Sequence, residues 1–131
     1  MTSCVFCEIV SESSPCYKVY EDERHLGILD INPIRDGHIL LIPKRHDAYV
    51  FNLKEVEYLN LFKIAKLIVP HLQTAFGAER IGMLIGGISI SHIHIHLIPT
   101  YHSRDIDPNL AKPASREVLL AVQERILATF K

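Results

Sequence analysis

Apolar and polar positions alternate in blocks that read as short strands and two main helices. Phe6–Val10 fits a short helical turn, and Ser11–Pro15 carries turn chemistry. Tyr17–Tyr20 and His25–Leu29 read as strands across a polar Glu21–Arg24 turn. Asn32-Pro33 and Asp36-Gly37 punctuate a loop, and His38–Ile42 is then a buried strand closed by Pro43. Leu53, Val56, Leu59, Leu61, Ile64, Ala65, Leu67 and Ile68 recur near the helical period. Asn52 is placed to cap that helix, with Glu55 completing a capping box. Pro70 should kink it or end its first part, while Leu72, Ala75 and Phe76 carry the apolar face to a C-cap at Gly77. Ile81–Ile85 and Ser91–Ile98 read as strands around a Gly86-Gly87 turn or bulge. After a Pro108–Pro113 loop, Ser115 caps a final helix through Phe130, with Val118, Leu119, Val122, Ile126 and Leu127 as its apolar stripe. The order βββαββα predicts an α+β fold: an antiparallel sheet of about five strands with one long and one C-terminal helix packed against it.

Composition bounds this picture. The 131 residues, 48% of them hydrophobic, suit one domain, 1–131, with a real core. Fourteen basic against fifteen acidic side chains argue against a broadly basic nucleic-acid binder. No apolar run is long enough for a membrane span. The start, MTSCVFCEIV, has neither a basic nor a long apolar signal region, so a reducing cytoplasm is the expected compartment. The unusual counts are eight His and three Cys. Cys4 and Cys7 form C-x-x-C, open to redox, metal or chance readings; the lack of a preceding strand counts against redox, and metal needs ligands from downstream. Cys16 stands alone as a free thiol.

The chemistry concentrates in Ser91-His92-Ile93-His94-Ile95-His96-Leu97-Ile98. Strand alternation sends Ile93, Ile95 and Leu97 to the core and lines His92, His94 and His96 along the other face. The outer two are then about 13 Å apart at Cα, too far to share one metal easily. A lone strand histidine is ordinarily a hydrogen-bonded structural residue; three in a row suit an anionic ligand such as phosphate, or a metal.

The pattern His-apolar-His-apolar-His-apolar-apolar resembles the signature of the histidine triad (HIT) family. Cys4-Val-Phe-Cys7-Glu-Ile, Tyr17-Lys-Val-Tyr20-Glu-Asp22, Ile28-Leu29-Asp30-Ile31-Asn32-Pro33 and Gly37-His38-Ile-Leu-Leu-Ile-Pro43-Lys-Arg-His46 resemble HIT sequences in the same order, over about residues 4 to 100. The resemblance implies a HIT-like fold and a hydrolase that cleaves a nucleoside monophosphate, AMP foremost, from a leaving group on its α-phosphate. His94 matches the nucleophile that forms a nucleotidyl-histidine, His96 the phosphate contact, and His38 the fourth family histidine near the leaving group. Neutral imidazole is a competent nucleophile near pH 7, and donors can stabilise the phosphoryl charge without a metal.

Further positions follow from the same resemblance. Asp30 matches the residue that holds the ribose hydroxyls, and Ser89 a hydroxyl near the phosphate. Val5, Phe6, Ile9, Ile28 and Ile31 match the apolar slot for the base, with plain core packing as the other reading of all five. Cys4, Cys7, His46 and His92 match a structural Zn²⁺ set, a standard tetrahedral combination. A homodimer through the sheet and long helix is implied too. His25, His71 and His102 match no role, and His71 reads as surface. One segment departs from the family pattern: the turn Leu84–Ser91 is short, with Ile88 where Gln is common, which bears on leaving-group contacts. Two rival classes stand beside the hydrolase: a nucleotide-binding regulatory module with little turnover, and a metal-dependent enzyme built on the histidine row.

Overall fold

The computed structural model describes residues 4–86 and 90–131. A short helix α1 (Val5–Val10) precedes three strands, β1 (Lys18–Glu21), β2 (His25–Leu29) and β3 (Ile39–Pro43). The long helix α2 (Glu55–Phe76) leads to β4 (Arg80–Ile85) and β5 (Ile95–Thr100), and α3 (Arg116–Ala128) closes the chain. The five strands form one sheet in the order β1-β2-β3-β5-β4, and every neighbouring pair is antiparallel. The expected α+β architecture is therefore the observed one.

Two apolar clusters lie on the sheet. The larger joins Ile39, Leu41, Ile93, Ile95 and Leu97 to Leu61, Ala65, Ile68 and Leu72 of α2 and to Leu119, Val122 and Ile126 of α3. The smaller packs Phe6 and Ile9 of α1 on Leu26, Ile28, Leu40 and Ile42. Alternation along β2 and β3 puts Leu40 and Ile42 on one face and Ile39 and Leu41 on the other. Both faces are covered, so these strands read as unbroken apolar runs.

The termini of α2 differ from expectation in one case and agree in the other. Asn52 does not cap it: Val50–Asn52 is a 3-10 turn, and the helix starts three residues later at Glu55 without a side-chain cap. Glu55 and Glu57 in its first turn still favour the positive end of the helix dipole. Gly77 is the left-handed C-cap, φ 61°. Pro70 does not end the helix. It lies on the exposed face, where the carbonyl it leaves unbonded can meet water. Val56, Leu59 and Leu67 belong to the periodic set but are exposed, as are Val118 and Leu127 on α3. The buried stripe of α2 is narrower than the apolar pattern, running Leu61, Ala65, Ile68, Leu72, Ala75. Ser115 caps α3 through Val118 N–H as expected.

Two unassigned histidines have local tasks. Asp22 accepts the amides of Arg24 and His25 and the ring Nδ1–H of His25 at 3.0 Å, which closes the β1–β2 turn. His71 is not simple surface. Its ring stacks on Phe130 at 3.6 Å between centroids and donates from Nδ1 to Thr129 Oγ1 at 3.0 Å, tying α2 to the end of α3. Cys16 is a free thiol packed against the smaller cluster.

Candidate active site and metal centre

The histidine segment is not one regular strand. β5 begins at Ile95, where rungs to Leu41 and Ile85 start, so Ser91–His94 lies ahead of the ladder. Ile93, Ile95 and Leu97 do enter the core as alternation requires. Release from the ladder lets His92 and His94 serve different neighbours. His92 is fully buried, and His94 is 6% exposed. The rings of His94 and His96 lie 5.0 Å apart, those of His38 and His96 5.1 Å apart.

His38 reaches this group because of the loop before it. Asp30 N–H donates to the His38 carbonyl, and His38 N–H to the Arg35 carbonyl, closing a tight excursion from β2 to β3. Gly37 permits it with φ 93°; a Cβ there would meet the Phe76 ring at 2.6 Å and Pro99 at 2.9 Å.

Hydrogen-bond partners assign the ring protons of neutral histidines. Ile34 N–H donates to His38 Nδ1 at 3.0 Å, so the His38 proton sits on Nε2. That Nε2–H donates to His96 Nδ1 at 2.8 Å, which places the His96 proton on Nε2, where it has no hydrogen-bond partner among the described residues. His94 Nδ1–H donates to the His92 carbonyl at 2.7 Å, so its Nε2 carries the lone pair. His92 Nε2–H donates to the Pro43 carbonyl at 2.8 Å, so its lone pair is at Nδ1.

Burial holds both His38 and His96 neutral. It pushes His38 down to about 3, with the His96 charge adding to the effect, and His96 down to about 4, with His94 adding. Burial also raises the Asp30 carboxyl, against the Asn32 N–H that it accepts. Asp30 Oδ2 lies 3.6 Å from His38 Nε2.

Among the described residues two groups of side chains are close enough to share a metal ion: Cys4, Cys7, His46 and His92, and Asp30, His38 and His96. Proton positions separate them. In the second, the His38–His96 hydrogen bond fills the space between the nitrogens, and a metal at His38 Nε2 would force its proton onto Nδ1 against the Ile34 N–H. In the first, the His92 Nδ1 lone pair faces Cys4 Sγ at 3.4 Å, Cys7 Sγ at 3.6 Å and His46 Nδ1 at 3.2 Å. Cys7 Sγ lies 3.2 Å from His46 Nδ1. Burial lowers His92 and so keeps its ring in the neutral form that a metal binds, while burial together with Cys4 raises Cys7, whose thiolate is therefore favoured only beside a cation.

The other expected residues divide. Phe6, Ile9 and Ile28 come together in the smaller core cluster, and the Phe6 ring lies 5.2 Å from the His94 ring. Val5 and Ile31 are exposed and stand outside that cluster. Ser89, with Gly87 and Ile88, lies outside the described residues. An open cleft of about 360 Å³ between Arg24, His25, Lys44 and Glu57 takes in none of His38, His92, His94 or His96. A smaller hollow is lined by Asp30, Gly37 and His38, so chemistry and not the size of a hollow picks the site. The Ile34 amide and the Pro43 carbonyl are backbone partners with no residue-type signal in the sequence, and Arg35 and Asp105, which pair through their side chains, lie 70 positions apart with no spacing signal.

An antiparallel sheet carrying imidazoles with complementary proton positions defines a histidine-based site on an α+β scaffold. The chain belongs to the HIT domain family, whose model matches residues 11–103. It is 34% identical over 102 residues to the adenosine 5'-monophosphoramidase of Schizosaccharomyces pombe, covering 74% of each chain. It is 38% identical over 101 residues to the adenylylsulfatase of Arabidopsis thaliana; the match takes 73% of this chain and about half, 51%, of that relative. The structure of a Zn-bound histidine triad family protein from Mycobacterium smegmatis superposes with a TM-score of 0.82 at 28% identity, over 97% of this chain and 92% of that one. Hydrolase activity is thus supported at the level of the family.

Proposed function

We propose that the protein cleaves AMP from a leaving group on its α-phosphate through a nucleotidyl-His94 intermediate. The observation that carries this is the 2.7 Å bond from His94 Nδ1–H to the His92 carbonyl. It presents Nε2 as the nucleophile, and the same carbonyl stabilises the positive charge the ring gains on attack. The Nε2–P bond forms as the bond from phosphorus to the leaving group breaks, and the leaving group departs with a proton taken from solvent. Water then attacks phosphorus, the Nε2–P bond breaks, AMP leaves, the proton lost by the water returns to solvent, and His94 is neutral again. His96 Nε2–H donates to a phosphoryl oxygen, held in place by His38 behind it. Asp30 accepts from the ribose hydroxyls. The names of the phosphoramidase and adenylylsulfatase relatives support AMP as the transferred group and leave the leaving group open between an amine and a sulfate.

Cys4, Cys7, His46 and His92 hold a structural Zn²⁺ in the same reading. Tetrahedral zinc with ordinary bond lengths sets N···N edges at about 3.3 Å and N···S edges at about 3.6 Å. The measured N···N distance is 3.2 Å, and the N···S distances run from 3.2 to 3.6 Å. The His92 Nε2–H bond to Pro43 is the outer contact that orients a metal-bound imidazole. When bound, the ion would cross-link the N-terminal segment to the chain after β3 and to the segment before His94.

Adenosine 5'-phosphoramidate tests the reading. Incubation should release AMP, and rapid acid-free quenching should trap AMP on His94. His94→Ala should lose about a thousandfold or more in kcat. Full activity in that variant would overturn the mechanism, and micromolar nucleotide binding without product would point to the regulatory module.

A further inference from the structure

Arg35 and Asp105 lie outside every role assigned so far, and Asp105 lies beyond the span 11–103 that the family model matches. Arg35 sits in the loop between β2 and β3, next to Ile34. Its Nη2 donates to Asp105 Oδ1 at 2.7 Å. Asp105 is nearly buried and is itself held rigidly: Oδ2 accepts the amides of Tyr101 and His102. The Arg35 guanidinium lies over the Tyr101 ring at 5.0 Å, and Tyr101 OH donates to the Phe76 carbonyl at 2.7 Å.

The position of this pair in the sheet gives it a consequence. β3 and β5 are antiparallel neighbours, with Leu40 opposite His96 and Ile39 opposite Leu97. The loop entering β3 and the loop leaving β5 therefore emerge at the same end of the ladder. Arg35–Asp105 bridges those two loops just past the last rung. On one side of the bridge the Ile34 amide meets His38 Nδ1; on the other, four residues back from Thr100, is His96. Arg35 Nε is buried without a hydrogen-bond partner among the described residues.

We propose that Arg35 and Asp105 are positioning residues for the histidine pair. The bridge holds the Ile34 N–H against His38 Nδ1, and so keeps the one tautomer in which His38 Nε2–H donates to His96 and His96 Nε2–H is left for the phosphate. Without it the loop relaxes, Ile34 N–H leaves Nδ1, and the His38 proton divides between its two nitrogens. His96 then loses its fixed donor direction. The catalytic part rests on the function proposed above; the tautomer part stands by itself.

The test combines ¹⁵N NMR of the histidine rings at pH 7.5 with steady-state kinetics on adenosine 5'-phosphoramidate. Wild-type protein should show His38 as a single Nε2–H tautomer. Arg35→Met and Asp105→Asn should each show mixed His38 tautomers and a kcat lowered about tenfold, with KM within about twofold, in variants whose circular dichroism spectra match wild type. The double variant should be no worse than either single one, and Arg35→Lys should restore much of both readouts. A single Nε2–H tautomer retained in both variants, or a kcat loss without tautomer change, would overturn the proposal. If wild type releases no AMP, the functional reading fails, and the NMR comparison still decides the bridge.

Discussion

At the residue scale, neighbouring groups fix the proton of each of four histidines: on Nε2 in His38, His92 and His96, and on Nδ1 in His94 alone. His38 is fixed by an amide, His96 by His38, His94 and His92 by carbonyls. Residue type alone predicts only that each can be donor and acceptor. The buried pair also sets an acid limit on stability. Native His38 stays neutral down to about 3 and His96 down to about 4, while an unfolded histidine takes a proton near 6.5. The depressed native values mean that the unfolded state binds more protons as pH falls below 6.5. These two groups therefore contribute nothing above that pH, and destabilise progressively from 6.5 down to their native values. For His38, 3% exposed, the loss at pH 5 is about 2 kcal/mol. Urea midpoints at pH 7.5, 6 and 5 should fall, and His38→Gln should flatten the slope. An equal slope in that variant would place the acid sensitivity elsewhere.

Elements carry a second layer. β5 starts at Ile95, not at Ser91, because the ladder with β3 and β4 opens there. The alternation of His and Ile is intact, yet it runs past the hydrogen-bonded strand, and that extra length separates His92 from His94 and His96. The loop before β3 shows the same division. Asp36-Gly37 is legible as a turn, but the need for glycine comes from Phe76 of α2 and Pro99 of β5. Gly37→Ala would combine a left-handed non-glycine residue with overlap on both side chains. A loss of about 2 kcal/mol or more is expected in denaturant titration. Turnover of the folded fraction should fall as well, because the loop also places His38; unchanged stability would show that the loop can shift without cost.

At the scale of the molecule, the metal group is the point where distant parts of the chain meet. Cys4 and Cys7 flank the start of α1, His46 follows β3 and His92 precedes β5. Bound zinc would couple to folding, since the ligands are together only in the native chain. Elemental analysis should give about one zinc per chain, lost in Cys4→Ser/Cys7→Ser. Chelation should lower Tm by about 5 °C or more while AMP release persists below the transition. Activity abolished with the fold intact would favour the metal-dependent reading instead. Among the described residues no helix is long and apolar enough to cross a membrane.

The sequence by itself determined the α+β order of elements, the antiparallel sheet and the αL cap at Gly77, because periodicity and residue chemistry are local properties; the set of residues around His94 came through the family resemblance. The sequence also grouped Cys4, Cys7, His46 and His92, though through a family resemblance and not through spacing. Tertiary structure alone decided which apolar positions are buried: Leu61 and Ile68 face the sheet, while Val56, Leu59 and Leu67, with the same hydropathy, face outward. It alone decided the start of β5, the task of His71, and the bridge from Arg35 to Asp105. The common reason is that each depends on a partner far away in the chain, and a carbonyl, an amide or a neighbouring ring that assigns a proton leaves no mark at the residue it acts on.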